Sequence, residues 1–486
     1  MRRTSLQANQ AEGFGGYMAA GKSTGKVLSN RAIVEKRKPR VVVLGGGFAG
    51  MNAAKALSKM PVDVTLIDKS NHHTFQPLLY QVALAMLSPS DIASPIRTIL
   101  RGARNVDVLM EEVESIDVAH SRVGFKGGPA VQYDYLIVAT GSTKSYFGHD
   151  EWEQYAPGLK TIEDATEIRR RILLAFELAE RQAVETGSHR PLNFVVIGGG
   201  PTGVELAGAI AEISKYFMEQ DFRHIDPSNA RVLLIEGGPR ILSSYPEDLS
   251  RKGVDQLQNL GVEIHTSTMV EEIGAGYVKV KGGEPMDAVV TLWGAGVASS
   301  PVGEMLGVPL DHRKRVIVDK TLNPNGIENV FVCGDLAVFQ QDGKELPGVA
   351  QPAMQMGAHA AKLIELDLKK QPRTEFRYFD KGDMATIGRY RAVADIQWPF
   401  KAHWGGFPAW TTWLLVHLVF IVGLRNRVAV LMQWAWTYLF LSRGARLITG
   451  SRDLPGWGER QGVRDVNVSR PVGEPGLKTS GDLQGV

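Results

Sequence analysis

Near its start the chain sets an uninterrupted apolar run, Val41-Val42-Val43-Leu44, before the glycines of "GGGFAG". A run of that length and kind reads as a strand buried on both faces. It is followed by "MNAAKALSKM", where small apolar residues recur at helical spacing. The same succession returns at Phe194-Val195-Val196-Ile197, "GGGPTG" and "VELAGAIAEI". In each copy another apolar run ends in an acid, "VDVTLID" at Asp68 and "ARVLLIE" at Glu236. The pattern therefore predicts strand, turn, helix and strand, twice over. Further buried strands are predicted at Leu136 to Val138, before Ala139-Thr140-Gly141, and in "NVFVCGD", which closes on Gly334-Asp335. "DATEIRRRILLAFELAERQAV" predicts a long amphipathic helix.

Each turn reads G-x-G-x-x-G: Gly45, Gly47, Gly50 and Gly198, Gly200, Gly203. The first glycine permits a tight turn, the second lets backbone approach a pyrophosphate, and the third lets helix pack close to strand. The pyrophosphate then meets free N–H groups and the positive end of a helix. Asp68 and Glu236 stand where an acid binds ribose hydroxyls. Asp335, ending a strand before a helix, is placed to hold sugar-alcohol hydroxyls, and Val113 is a candidate backbone contact for an adenine.

Toward the carboxy terminus, Ala409 to Leu424 contain no acid, Lys or Arg; "RNR" intervenes; Val428 to Leu441 are again uncharged. Each run is shorter than the ~20 residues that span a bilayer. Trp410, Trp413, Trp434 and Trp436 suit the headgroup region, and the flanking arginines suit anionic lipid. These runs predict two helices lying in a membrane surface.

Composition narrows the chemistry. A chain of 486 residues with 44% hydrophobic content is long enough for several domains. Its net charge of +3 does not argue for nucleic acid. The single cysteine, Cys333, excludes chemistry that needs a redox-active pair and suits a reducing compartment. No zinc-type Cys/His spacing occurs, and no metal is expected. "GYMAAGKST" fits the phosphate-loop pattern, but no apolar strand precedes it, so it is read as a chance match.

The order G-x-G-x-x-G, A-T-G, G-x-G-x-x-G, G-D resembles the two-dinucleotide-binding-domain flavoproteins. "FQPLLYQVA", "LSPSDIASPIR" and "GVAQPAMQMGAHAAK" are similar, more narrowly, to the type II NADH:quinone oxidoreductases, single-subunit and non-pumping. The resemblance implies an α/β chain with two Rossmann-like domains, the second inserted in the first, plus a C-terminal membrane-associated helical region. The expected segments are a disordered extension at 1–38, an FAD-binding domain at 39–160 and 296–385, an NADH-binding domain at 161–295, a membrane-anchoring region at 386–450 and a flexible tail at 451–486. It implies FAD at Gly45, Gly47, Phe48, Ala49, Gly50, Asp68, Lys69, Val113, Ala139, Thr140, Gly141, Asp335, Ala350 and Gln351. NADH falls to Gly198, Gly200, Gly203, Glu236 and Gly296. Glu205 takes a role in turnover, and Gln351 and Gln355 of "AQPAMQ" lie where quinone meets the flavin. "WGAG" at Trp293 departs from the commoner family form with Thr before Ala-Gly, which leaves open the side chain lining the nicotinamide. The implied partners are a membrane quinone, the bilayer surface and a second copy in a homodimer, on the cytoplasmic face of a bacterial inner membrane. The rival readings are an NADH-dependent reductase of a small soluble redox protein and a non-catalytic NAD-sensing flavoprotein.

Overall fold

The computed structural model describes residues 37–218, 221–440 and 444–457. The expected extension lies outside the described residues apart from its last two, and the phosphate-loop look-alike and residues 458–486 lie outside them altogether.

Strand β1 (Arg40–Leu44) runs into helix α1 (Phe48–Leu57) and then β2 (Asp63–Asp68). A short helix, α2 (Leu79–Ala83), precedes β3 (Val106–Met110) and β4 (Tyr135–Val138). β1 is flanked in parallel by β2 and β4, and β2 by β3. Its four apolar residues are all buried, which is why they do not alternate with polar ones.

β5 (Ser142–Lys144) leaves this sheet and pairs antiparallel with a later strand, β10 (Val297–Ser299). Between them lies the second unit. Helix α3 (Ile162–Thr186) starts on a capping box of Thr161 and Asp164 and stops at Gly187 in the left-handed region. Then come β6 (Asn193–Ile197), α4 (Pro201–Glu212), β7 (Arg231–Ile235), α5 (Glu247–Asn259), β8 (Val262–His265) and β9 (Val290–Trp293). They form a parallel sheet ordered β8–β7–β6–β9. β11 (Val330–Val332) then returns to the first sheet, whose order is β11–β4–β1–β2–β3. Both sheets share the 3-2-1-4 order of a dinucleotide-binding fold. The chain joins the second unit before residue 160: Tyr146, Trp152 and Ala156 pack with Val195, Ile197 and Trp293. Helix α6 (Ala350–Leu368) lies on α1 so closely that a Cβ on Gly357 would stand 2.0 Å from the Ala49 carbonyl oxygen.

The C-terminal part is not helical alone. β12 (Gly382–Gly388), β13 (Arg391–Ile396) and β14 (Ala402–Gly405) form an antiparallel sheet before helices α7 (Phe407–Phe420) and α8 (Leu424–Phe440). The boundary expected at 385 thus falls inside β12. This sheet is docked on α4: a Cβ on Gly208 would meet the Ile387 carbonyl oxygen at 1.8 Å. Among the described residues, no helix is long and apolar enough to cross a membrane.

Three of the four tryptophans expected at a headgroup layer face inward instead. Trp413 and Trp434 are 1% and 3% exposed, and Trp410 is buried too. The reason is local: the Trp434 indole donates to the Gln81 side-chain oxygen at 2.7 Å, and Trp413 packs its ring on Tyr80 and His417. The outer faces carry Leu415, Val419, Leu424, Met432, Trp436, Leu439 and Phe440, all exposed. Residues 451–457, expected within a flexible tail, are docked. Arg170 donates to the carbonyls of Ser451 and Asp453, Arg190 to that of Gly456, and Leu454 is buried.

Candidate active site

The two glycine loops repeat one geometry. Gly45 and Gly198 turn at φ +98° and +106°, in the region that favours glycine. A Cβ on Gly45 would stand 2.4 Å from the Ala139 carbonyl oxygen, and one on Gly198 2.5 Å from the Ala295 Cα. Gly50 and Gly203 press on the carbonyls of Gly45 and Gly198, where a Cβ would come to 1.8 Å. Gly47 and Gly200 differ: a Cβ there meets nothing within 4 Å. The middle glycine of each loop thus borders open space at the start of α1 or α4. The acids repeat as well. Asp68 accepts from the Gly46 and Ser70 backbone N–H groups at 2.6 and 2.7 Å, and Glu236 from those of Gly199 and Gly238, both at 2.6 Å. Each carboxylate is held at the mouth of its loop by two backbone N–H groups.

The first loop fits FAD by its leftover polar atoms. Among the described residues, the Thr140 hydroxyl is buried without a protein partner beside Gly141, and so is the side-chain oxygen of Gln351. Such atoms carry an unsatisfied hydrogen-bonding demand that a ligand can meet. Asp335 accepts from Ser142 at 2.7 Å, and the Lys160 ammonium donates to the same Ser142 oxygen at 2.9 Å, so a carboxylate, a hydroxyl and a cation stand together behind β4. Phe48 and Ala49 open α1, and Ala350 opens α6. Val113 pairs with Phe125 in a separate three-stranded sheet, and Lys69 is exposed just past β2.

Gln351 and Gln355 share a face of α6, yet their amides are used differently. Gln355 donates to the Phe379 carbonyl and accepts from the Phe379 N–H, each at 2.9 Å. Gln351 donates to the Gly382 carbonyl at 2.8 Å and keeps its oxygen free. Glu205 on α4 meets the same strand, β12, further along at Thr386. Loss of water around it pushes its carboxyl up to about 8, although the Thr386 backbone N–H opposes this. Tyr80 on α2 and Tyr245 are close enough to feel its charge. Asp383 on β12 is pushed up to about 6 by burial, then by Asp380 and Asp395. Three aromatic contacts lead away from the first loop: Phe48 meets Phe75 edge-on, Phe75 meets His417 on α7, and His417 stacks on Trp413.

Residues 39–357 match the family described as pyridine nucleotide-disulphide oxidoreductase, and residues 381–443 match the NDH2 C-terminal domain. A type II NADH:quinone oxidoreductase of Mycobacterium tuberculosis is 43% identical over 84% of this chain and 89% of its own length. The chain belongs to the type II NADH:quinone oxidoreductases. A member from Staphylococcus haemolyticus is 31% identical over 73% of this chain and 89% of its own. In fold, the chain is similar to the NDH2 of Plasmodium falciparum solved with NADH, at TM-score 0.75 and 20% identity, covering 85% of this chain and all of that one. The sulfide:quinone oxidoreductase of Aquifex aeolicus follows at TM-score 0.66, covering 83% and 95%. Cys333 is buried as a free thiol, and burial pushes it far above the ordinary range.

Tyr80, Asp383 and Thr386 escaped the sequence reading. Tyr80 lies inside "FQPLLYQVA", where nothing local marks it out from its apolar neighbours, and "GDMATIG" shows no motif. The available signal was two polar residues, Asp383 and Thr386, in an otherwise apolar strand.

Proposed function

We propose that the chain takes hydride from NADH at the second loop and reduces a membrane quinone beside Gln351, Tyr80 and β12, without moving ions across the membrane. Bound at the first loop, FAD supplies a ring that accepts hydride and releases two electrons to quinone. The observation that carries the reading is the pair of glycine loops, each with open space at its middle glycine and an acid held at its mouth.

The protein's own residues bind and orient. Gly47 and Gly200 let backbone reach the two pyrophosphates, and Asp68 and Glu236 take ribose hydroxyls. Asp335, Ser142 and Lys160 serve the sugar-alcohol chain. The free oxygen of Gln351 accepts from a ligand N–H, while Gln355 holds the Phe379 backbone that borders this face. Glu205, protonated at neutral pH, holds a proton near the reacting face and can release it as charge changes there. Under anaerobic conditions NADH should bleach the protein's visible flavin band, and a short-chain quinone should restore it. NADPH should act about a hundredfold less efficiently, because the fixed Glu236 carboxylate meets a second anion. Failure of quinone to restore the band would favour a soluble redox-protein acceptor; no bleaching at all would favour a sensor.

We propose further that the exposed faces of α7 and α8 rest in the surface of a bilayer, with Arg425 and Arg427 toward anionic headgroups. The cytoplasmic face of a bacterial inner membrane suits both NADH and a reduced cysteine, and a homodimer would seat two such faces together. The net charge of +3 offers no comparable argument for nucleic acid. Truncation before these helices is the wrong test. It removes Trp413 and Trp434 from the core, where each buried indole contributes on the order of 4 kcal/mol. Leu424→Asp, Met432→Asp and Leu439→Asp together change only outward positions. This variant should bind vesicles at least about tenfold more weakly. Its reduction of a short-chain quinone should persist. Undiminished co-sedimentation with anionic vesicles would move the anchor elsewhere.

A further inference from the structure

Tyr146 and Trp152 are buried against Trp293, with ring centroids 5.2 and 5.8 Å from its own. Phe147 does the opposite. It is 68% exposed, and its backbone is held at φ +54°, where a bulky residue is rare. An exposed ring and a left-handed backbone both cost free energy. Where such a cost is retained at a binding site, a ligand that covers the ring offsets it.

The ring is not loose over the surface. Its Cζ lies 2.6 Å from where a Cβ on Gly296 would stand, and its centroid is 6.1 Å from that of Trp293. The ring therefore takes up the space that a side chain at Gly296 would need. This segment also closes on the second loop: a Cβ on Gly198 would meet the Ala295 Cα, and one on Gly294 would stand 3.3 Å from the Gly203 nitrogen.

Strand order then says which half of the dinucleotide lies here. β7, with Glu236 directly after its last residue, flanks β6 on one side; β9, leading to Gly294, Ala295 and Gly296, flanks it on the other. With pyrophosphate on the central loop and the adenosine ribose at Glu236, the nicotinamide half extends toward Gly296. Phe147 stands on that side.

We propose that Phe147 is a positioning residue for NADH, laying its ring over the nicotinamide riboside half and so supplying the lining that "WGAG" lacks. The proposal rests on the NADH site argued above. A stacked or edge-on ring pair, with the apolar area it buries, strengthens binding by about tenfold.

The test uses the flavin-loaded full chain with Phe147→Ala and Phe147→Trp. Stopped-flow flavin reduction gives the half-saturating NADH concentration, and calorimetry gives the affinity for ADP-ribose, which lacks the nicotinamide. Phe147→Ala should raise the NADH value about tenfold while leaving ADP-ribose within about twofold of the parent. Phe147→Trp should restore NADH, and the KM for quinone should not move. Gly296→Ala, whose Cβ displaces the ring, should show the same NADH defect, and adding Phe147→Ala should not deepen it. An unchanged NADH value overturns the proposal, as does an ADP-ribose affinity that falls as far as that for NADH. A parent protein that binds no ADP-ribose at all overturns the NADH site itself, and this proposal with it.

Discussion

Gly200→Val should yield a folded, yellow protein that NADH reduces at least about a hundredfold more slowly, a size expected when a ligand is displaced by an ångström or more. Gly200 sits at φ −72°, which any residue adopts, and a Cβ there meets nothing within 4 Å. The fold therefore makes no demand for glycine at this position. The demand comes from whatever approaches the backbone, and a valine side chain would occupy that space. Gly47 has the same φ, −72°, and the same open surroundings. Gly47→Val should accordingly fold but lose FAD and be isolated colourless. Gly203→Val is the contrasting control. Its Cβ would lie 1.8 Å from the Gly198 carbonyl oxygen, so the strand and helix must separate and the fold should suffer directly. Circular dichroism, visible absorbance and stopped-flow reduction read the three outcomes separately. A Gly200→Val protein with parental NADH kinetics, or a Gly47→Val protein with full flavin, would contradict the assignment of the two loops.

Glu205 should make stability fall as pH rises from about 5 to 9, and Glu205→Gln should remove that slope. The folded carboxyl is pushed up to about 8, against 4.5 for a free glutamate. Below the unfolded value both states are protonated and the group is neutral in each. Between the two values the folded state still holds its proton while the unfolded state has released it, so each rise in pH favours unfolding. Above about 8 the full loss has been taken, on the order of a few kcal/mol. At pH 5 the glutamine variant should melt close to the parent, since both side chains are uncharged. By pH 9 it should melt several degrees higher. Tyr80, Tyr245 and Asp383 face the same region, and Asp383, pushed up to about 6, adds a smaller slope of its own that the variant retains. A gap in melting temperature that stays constant from pH 5 to 9 would show that Glu205 does not titrate there. The same variant should turn over more slowly with quinone at neutral pH, because an amide cannot exchange the proton.

The nucleotide loops were legible because everything they require is local. Turn, close approach and helix start are set by residues within one short stretch, and an apolar strand announces itself by its run length. The meeting of Glu205 with Thr386 and Tyr80 was not legible, because it joins α4, β12 and α2. The glutamines of "AQPAMQ" show the limit most clearly. At i, i+4 they share a helix face in any reading, yet one amide is taken up twice by the Phe379 backbone and the other keeps a buried free oxygen. That difference belongs to the segment they face, Phe379 to Gly382.

The same division runs through the C-terminal helices. Apolar content and length, both visible in the sequence, set them as short helices rich in tryptophan. Which tryptophans face the core was decided by neighbours, Gln81 for Trp434 and Tyr80 for Trp413. A helix apolar on every side has no intrinsic inner face, so only the surface it lands on chooses one. By itself, then, the sequence determined two dinucleotide loops, their acids, the absence of a cysteine pair and two apolar terminal helices. The tertiary structure alone decided the C-terminal sheet on α4, the inward tryptophans and the exposed Phe147 over Gly296, because each depends on residues far apart in the chain meeting within contact distance.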